Sequence, residues 1–383
     1  MEKLLLIGIN TRSMLKSALK LNYNIYSLSY FSTQDTPQIE NQKIILEEEN
    51  DTSCGNFKEN FNPKHLLNMS KDYFEEVDYI IPISGISPSE IKKKYQKKIL
   101  GTKNVKNIEN KYKFYKQIKD EYKTPKTYQI KDIPEAIEIS KNEPSTKYLI
   151  KPANGSGGYD IQLLNKKDLQ LDNDEYILQE YIEGINLSSS MLGSKSGKKT
   201  VCNTKLLTEH DFKKNNNYRY IGNVLPLTDD ELNKKMSKTT ENLGYKFNLI
   251  GSNGVDYILN ENGLYVIEVN PRIQGTYECI EKSYGINMLD AHIKASQGEI
   301  IEIPKAKYYT YKKIIYSPAR FKYREIKLDN IYDLPHNGSI TEKDEPLLTI
   351  IDKSKNLNEL YEKVEVSSKI IEKIIRKHQQ DAI

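Results

Sequence analysis

A lysine followed by a loop rich in glycine and serine is the first group of residues that could do chemistry. The segment Lys151–Gly158 comes directly after the apolar run Tyr148–Ile150. Glycines let backbone N–H groups approach phosphate oxygens, and a lysine ammonium adds a point charge. The predicted phosphate-binding residues are Lys151, Gly155, Ser156, Gly157 and Gly158. The loop is neither a Walker A loop nor a dinucleotide-binding G-x-G-x-x-G, and a plain hairpin connection remains an alternative interpretation.

Two acidic residues and an amide fall on two consecutive apolar segments. Asp256 lies in the first segment, and Glu268 and Asn270 lie near the end of the second. If the turn-forming residues 260–263 join the segments as a hairpin, Asp256 lies across from the region of Glu268, with Asn270 on the same face. Carboxylate and amide oxygens are ligands that Mg²⁺ prefers, and Mg²⁺ bridges nucleotide phosphates. A solvated strand face is the alternative, but packing explains poorly why these polar residues interrupt an apolar strand.

Four further candidates follow two other apolar runs near the N-terminus. Asn10 and Arg12 come after the first run, and Ser84 and Gly85 come after another. In α/β folds, ligands bind at the carboxyl edge of the sheet, so these residues could contact a substrate, with Arg12 as a clamp for a carboxylate. Turn and helix-cap roles explain the same residues equally well.

The elements that must position these residues divide into two kinds. Residues 4–29 read as strand, helix and strand, and 77–83 as a further strand, which predicts a doubly wound parallel unit over about the first hundred residues. The polar stretch 35–60 is expected to be a long irregular loop. After a helical stretch at 107–122, many strands and one long helix at 229–243 predict α+β structure on antiparallel sheet, and the tail ends in a helix from about 357 to 377.

Composition and length predict a folded, soluble protein that is long enough to be a multi-domain enzyme. Its 383 residues are 37% hydrophobic and 29% charged, enough for two to three domains. The net charge of +4 comes from interleaved charges, so the sequence does not predict nucleic-acid binding. The three cysteines are far apart, which argues against disulfides and zinc and favours a reducing cytoplasm. The apolar N-terminal run is too short to span a membrane.

Five elements together resemble the ATP-grasp superfamily in order and spacing over roughly residues 1–300. They are Lys111, Lys151, the loop Gly155–Gly158, the segment Gln179–Gly184, and the triplet Asp256, Glu268 and Asn270 with Pro271 and Arg272. The resemblance implies an N-terminal pre-ATP-grasp α/β domain (1–104), a lid subdomain (105–180), a large antiparallel-sheet subdomain with the metal ligands (181–300) and a C-terminal extension (301–383). ATP would lie between the lid and the large subdomain.

The resemblance also assigns nucleotide contacts. Lys111 and Lys151 would contact ATP and its phosphates, and Glu180 with the backbone through Tyr181 and Ile182 would hold the adenine edge. Family members often carry a glutamate for the ribose at the position of Asn186. The departure puts ribose recognition in doubt, and Glu183 is a substitute.

The segment after the metal ligands is similar to the biotin-carboxylase branch through Arg272-Ile273-Gln274. Arg272, with Lys151, is a predicted catalytic residue, because a guanidinium fork binds an acyl phosphate or a tetrahedral oxyanion well. Gln274 and Gly275 are candidates for substrate contact. The carboxylase branch has an acidic residue shortly after this glutamine, where this chain has Gly275-Thr276-Tyr277, and Glu278 could replace it only with a register change.

The resemblance therefore implies an ATP-dependent carboxylate–amine ligase with an acyl-phosphate intermediate, closer to predicted archaeal carboligases and amino-acid ligases. Its cofactors would be ATP and Mg²⁺, which Mn²⁺ could replace, and its partners a small carboxylate and an amine. A homodimer is compatible with this interpretation. The alternatives are an ATP-dependent carboxylase and a nucleotide-binding protein without catalysis, although the competent metal and lysine positions argue against lost catalysis.

Overall fold

The computed structural model describes residues 1–45, 62–155, 161–164, 169, 171, 175–209 and 218–380. Within them, none of the helices combines the length and the apolar character that crossing a bilayer requires.

A four-stranded parallel sheet opens the chain. Its strands are Lys3–Gly8 (β1), Asn24–Ser29 (β2), Asn41–Ile44 (β3) and Tyr79–Pro82 (β4), in the order β3-β2-β1-β4. The helices of this part are Arg12–Ala18 (α1), Pro63–Met69 (α2) and Lys71–Glu76 (α3), with short 3₁₀ helices at Pro88–Glu90 and Lys93–Lys98. The fully buried apolar runs of β1 and β4 explain why these segments become central strands.

The strand β3 corrects one expectation from the sequence, since its region was interpreted as irregular. It pairs in parallel with β2, and the side chain of Asn41 donates to that of Asn24 at 3.3 Å. A polar edge strand carries no apolar alternation, so its sequence does not reveal it. Residues 46–61 of the same stretch lie outside the described residues.

A separate four-stranded sheet follows, which we call the lid sheet. The short helices Lys106–Glu109 (α4) and Lys111–Ile118 (α5) lead into it. Its strands are Thr127–Ile130 (β5), Tyr148–Pro152 (β6), Gln162–Leu163 (β7) and Tyr176–Glu180 (β8), in the antiparallel order β5-β8-β6-β7, with helix Ile133–Lys141 (α6) after β5. The lid sheet has its own small apolar cluster.

An eight-stranded sheet forms the largest part of the molecule. Its first five strands are Ile185–Gly193 (β9), Lys198–Thr208 (β10), Tyr220–Leu225 (β11), Gly251–Asn260 (β12) and Gly263–Asn270 (β13). The long helix Asp230–Lys246 (α7) packs on one face, and its Met236 and Leu243 are buried there. The helices Tyr277–Tyr284 (α8) and Met288–Gln297 (α9) follow β13.

The C-terminal part continues the same sheet. Its strands are Tyr309–Tyr316 (β14), Phe321–Lys322 (β15), Ile331–Tyr332 (β16), Ile340–Thr341 (β17) and Pro346–Ser354 (β18), before helix Leu357–Gln380 (α10). The order β13-β12-β9-β10-β11-β14-β18-β16 carries hydrogen bonding across the boundary expected at residue 300, because β14 pairs with β11. The mixed α/β and α+β fold class is confirmed, and the four-part division stays a prediction.

Candidate active site

The two strands that carry the acidic residues pair as a hairpin. In the antiparallel register of β12 and β13, Asp256 lies opposite Glu268 and Gly254 lies opposite Asn270. The amide nitrogen of Asn270 donates to Asp256 Oδ2 at 2.9 Å and to Glu268 Oε1 at 3.4 Å. The three side chains therefore converge on one side of the hairpin.

The two carboxylates of this hairpin differ in how well the chain compensates their charges. Burial and the neighbouring negative charge of Glu268 raise the pKa of Asp256 well above its usual range. Burial opposes the ionisation of Glu268 too, but the positive charges of Lys111, Lys151 and Arg272 outweigh it and lower the pKa of Glu268. Two apposed carboxylates beside an amide oxygen fit a hard divalent cation, which would relieve their repulsion.

Two lysines from the lid side reach the same point. Lys111 opens α5, and its Nζ lies 3.6 Å from Glu268 Oε2 and donates to the carbonyl of Gly155 at 2.7 Å. Lys151 lies on β6 and is buried; burial, and then the charge of Lys111, lower its pKa to about 8. A second cation close to Lys151 is costly unless an anion joins them, which suits a phosphate.

These groups line one cleft of about 400 Å³ between the lid sheet and the eight-stranded sheet. Gly155 borders it at a φ of +148°, a backbone conformation that favours glycine. Arg272 also lines it, and its Nη2 donates to Asn270 Oδ1 at 3.2 Å, which places the guanidinium next to the hairpin triplet. Ser156, Gly157 and Gly158 lie outside the described residues.

A directional chain of hydrogen bonds ends on Asp256. Ser190 Oγ donates to Gln274 Oε1 at 2.9 Å, Gln274 Nε2 donates to Ser188 Oγ at 3.1 Å, and Ser188 Oγ donates to Asp256 Oδ1 at 2.6 Å. Gln274 fits only because Gly254 has no side chain; a Cβ there would lie 1.7 Å from Gln274 Cδ. The sequence interpretation missed Ser188, although the alternation of 186, 188 and 190 along β9 could have indicated it.

Known proteins share both the sequence pattern and the fold. A family model described as ATP-grasp domain matches residues 108–276. An uncharacterized protein of Methanocaldococcus jannaschii is 30% identical over 371 residues, which cover 94% of this chain and 91% of that protein. This chain belongs to the ATP-grasp family.

Three further proteins resemble this chain at lower sequence identity. The tyramine–L-glutamate ligase of M. jannaschii is 27% identical over 57% of this chain and 63% of its own length. The structure of N5-carboxyaminoimidazole ribonucleotide synthetase from Thermotoga maritima superposes with a TM-score of 0.71 at 15% identity, covering 97% of this chain and 98% of that one. Biotin carboxylase from Campylobacter jejuni gives 0.72 at 15% identity, with 95% and 90% coverage. The prediction of an ATP-grasp ligase from the sequence is confirmed.

The ATP-grasp segment expected to hold the nucleotide base connects the lid sheet to β9. Ile182 is buried, Asn186 lines the cleft, and Glu183 is exposed. The side chain of Glu180 accepts from the Lys126 backbone N–H at 3.1 Å, and Tyr181 donates its own N–H to Lys147 at 2.8 Å. Of the two residues predicted for the ribose, Asn186 lines the cleft and Glu183 does not; the assignment of the ribose stays a prediction. The cleft is also lined by residues that were not predicted from the sequence. They include Pro152, Tyr220, Ile258 and Ile267, which lie on strands, and Tyr218.

The four N-terminal substrate candidates separate into two pairs. Ser84 lines the cleft, and Gly85 lines a neighbouring cavity. Arg12 does not face the cleft, which corrects its interpretation as a substrate clamp: it is 1% exposed and its guanidinium binds Glu278 and Asp333. Asn10 turns the same way, with its amide 3.4 Å from Asp333 Oδ1. Gly275 borders the cleft, and its carbonyl accepts from Lys312 at 3.2 Å.

Proposed function

We propose that this protein is an ATP-dependent carboxylate–amine ligase that forms an amide through an acyl phosphate on a small, amino-acid-like substrate. One observation carries the proposal. A single cleft gathers two carboxylates and an amide on a hairpin, two lysines from the lid side, and Arg272 beside the hairpin. Among the described residues that line the cleft, no side chain forms a nucleophile with a base, so their contribution is positioning and charge neutralisation.

We assign each group of residues in the cleft a role that follows from its charge. Asp256, Glu268 and Asn270 would hold Mg²⁺, which neutralises the phosphates when bound. Lys111 and Lys151 would bind the transferred phosphoryl group as the substrate carboxylate oxygen attacks phosphorus and ADP leaves. Arg272 would stabilise the acyl phosphate and the oxyanion that forms when the amine nitrogen attacks the carbonyl carbon. That attack forms the carbon–nitrogen bond; the tetrahedral intermediate then collapses as the carbon–oxygen bond to phosphate breaks, and the departing phosphate takes up the proton that the nitrogen loses.

The carboxylase alternative lacks its base. Thr276 brings a neutral hydroxyl, which lies 3.0 Å from Ser190 Oγ. Glu278, the other candidate, is held by Arg12 through both carboxylate oxygens, away from the cleft lining. The solved carboxylases share the fold at 15% identity and so support the fold alone.

The first substrates to test come from the named relatives. Because tyramine–L-glutamate ligase aligns with over half of this chain, L-glutamate and tyramine are the starting pair, followed by other small carboxylates and amines. Purified protein with ATP and Mg²⁺ is assayed for ADP and, by mass spectrometry, for the amide. Hydroxylamine replaces the amine in parallel, since it traps acyl phosphates as hydroxamates.

We expect ADP and amide together, and a hydroxamate with hydroxylamine. ADP formation that requires bicarbonate and yields no hydroxamate would favour the carboxylase. Tight ATP binding without turnover on the whole panel would favour a nucleotide-binding protein.

A further inference from the structure

A second cavity of about 580 Å³ adjoins the cleft on the other side of Arg272. It lies between the loop after β4, the end of α4 and the end of β13. Gly85 and Ser87 line it from the first, Glu109 from the second and Arg272 from the third. Because Arg272, Glu268 and Lys111 border both spaces, a molecule in this cavity would meet the reacting end of a substrate in the cleft.

Glu109 is the half-buried carboxylate of this cavity. It ends α4, immediately before the N-cap residue Asn110 and Lys111. Its Oε2 accepts a hydrogen bond from Ser87 Oγ at 2.8 Å. Ser87 is itself fixed, since it caps the 3₁₀ helix at Pro88–Glu90 with a reciprocal bond from its N–H to Glu90. The carboxylate therefore has a defined position at the cavity wall.

Glu109 has no ion-pair partner among the residues that the structure describes. Among the residues that the structure describes, no lysine, arginine or histidine nitrogen lies within the 4.0 Å of an ion pair with it. Burial raises the pKa of Glu109 although Ser87, Arg272 and Lys111 act in the opposite direction, so the anion is under-compensated. Lys111 is committed to Glu268 and to the Gly155 carbonyl.

The other carboxylates of the cavity have different surroundings: the half-buried Glu268 already faces Lys111 at 3.6 Å. Glu90 and Glu175 are exposed, and each accepts a hydrogen bond from a neighbour: Glu90 from the Ser87 N–H, and Glu175 from the Asn110 amide at 3.3 Å. Water therefore solvates them, whereas Glu109 faces the cavity partly desolvated. A ligand ammonium would gain most at Glu109.

We propose that this cavity is the amine subsite and that Glu109, held by Ser87, binds the ammonium group of a primary amine substrate. The inference rests on the proposed ligase function. The bound ammonium would give a proton to the Glu109 carboxylate, and the neutral amine would then attack the acyl carbon from the cavity side of Arg272, while the acyl phosphate lies on its cleft side. Ser87 is a positioning residue, because it acts through the Glu109 carboxylate.

The test measures equilibrium binding and needs no turnover. Calorimetry compares primary amines, beginning with tyramine, with matched uncharged analogues, beginning with 4-ethylphenol, on the full chain with Mg²⁺ and a non-hydrolysable ATP analogue. We expect at least one amine to bind the wild type about tenfold or more tightly than its analogue, the scale of a charge-assisted hydrogen bond. Glu109→Gln should remove most of this preference, and Ser87→Ala should remove part of it.

Glu175→Gln is the matched control, since it removes an exposed carboxylate from the same cavity and should keep the preference. Circular dichroism of each variant confirms folding, and Glu109→Asp, which keeps the charge, should retain part of the preference. Absence of any ammonium preference in the wild type, or its persistence in Glu109→Gln, would overturn the amine subsite.

The hydroxamate assay separates this inference from the function on which it rests. Hydroxylamine is uncharged near neutral pH and needs no ammonium subsite, so hydroxamate formation by the wild type tests the ligase function by itself. If the wild type forms no hydroxamate with any of the carboxylates, the ligase function is contradicted. The amine subsite is tested only by the calorimetry.

Discussion

Arg12 and Glu278 form a two-pronged ion pair between residues 266 positions apart in the chain. Nη1 lies 2.5 Å from Oε1 and Nη2 lies 3.0 Å from Oε2. The same guanidinium donates to Asp333 through Nε at 2.9 Å and packs over the Tyr332 ring. Burial alone would lower the pKa of Arg12, but Asp333 and Glu278 outweigh it and raise that pKa. One buried cation thus joins α1, α8 and the C-terminal part.

Replacing Arg12 should destabilise the fold strongly. Arg12→Ala leaves the partly buried carboxylates of Glu278 and Asp333 without their main cation, which costs on the order of 3–5 kcal/mol. Chemical denaturation should show this loss. Lys363→Ala breaks the exposed pair with Glu359 on α10 and should change stability far less, because water screens this pair. Equal effects of the two changes would contradict the importance of the buried junction.

The hairpin triplet should be essential for turnover and dispensable for folding. Glu268→Gln removes an anionic metal ligand and Asn270→Ala removes an amide oxygen ligand, so the metal that neutralises phosphate charge is lost: Mg²⁺-dependent ADP formation should disappear while the circular dichroism spectrum stays unchanged. Normal ADP formation by both variants would exclude the proposed metal site.

Ser188 should tune metal affinity through Asp256. Ser188→Ala removes the 2.6 Å hydrogen bond to Asp256 and the acceptor for Gln274, so Mn²⁺ affinity with an ATP analogue should fall by about tenfold. Electron paramagnetic resonance measures free Mn²⁺ directly. Ser189→Ala is the control, because Ser189 bonds instead to Asn203. Matching affinities in all three proteins would show that the hydrogen-bond chain does not act on the metal.

Arg272 should act after substrates bind. Arg272→Ala is expected to lower kcat far more than ATP affinity, by about 2–4 kcal/mol of transition-state stabilisation, and Arg272→Lys should restore part of the loss. Single-turnover rates, ATP affinity and thermal stability are measured on one preparation. A variant that melts early but turns over normally would assign Arg272 a structural role.

His292 should make stability depend on pH. It is buried, its Nδ1 accepts from the Ser252 N–H at 2.9 Å, and burial lowers its pKa to about 4. Because the unfolded imidazole binds its proton near pH ~6.5, the unfolded chain holds more protons than the folded one between about 6.5 and 4, so stability falls as pH falls through this window, by about 3 kcal/mol in full. His292→Gln should flatten the profile in denaturation series, and the exposed His65→Gln should not. An unchanged slope in His292→Gln would contradict this assignment.

Features that depend on residues close together in the chain could be predicted from the sequence, whereas features that depend on pairing between distant segments could not. The hairpin of β12 and β13 was predictable, because a turn at 260–263 and strand alternation fix which residues face each other. Arg12 was misassigned because its partners lie 266 and 321 positions away, and no local pattern indicates them. The continuation of the large sheet into β14 was missed for the same reason: strand order depends on pairing between distant segments. The serine chain to Asp256 depends on the space that Gly254 leaves, which only coordinates reveal.

The separateness of the lid sheet has a mechanical consequence. Among the described strands, the lid sheet shares none with the other sheets, and both of its connections to them are short. The incoming one is fastened where Val266 donates to the Lys123 carbonyl, and the outgoing one where Gly184 lies so close to the Leu259 carbonyl that a Cβ would be 2.4 Å from it. Residues 124–126 and 181–183 lie between these two contacts and the strands of the lid sheet. We therefore expect the lid sheet to rotate as a rigid body about these two adjacent hinges, which opens the cleft while the eight-stranded sheet stays in place.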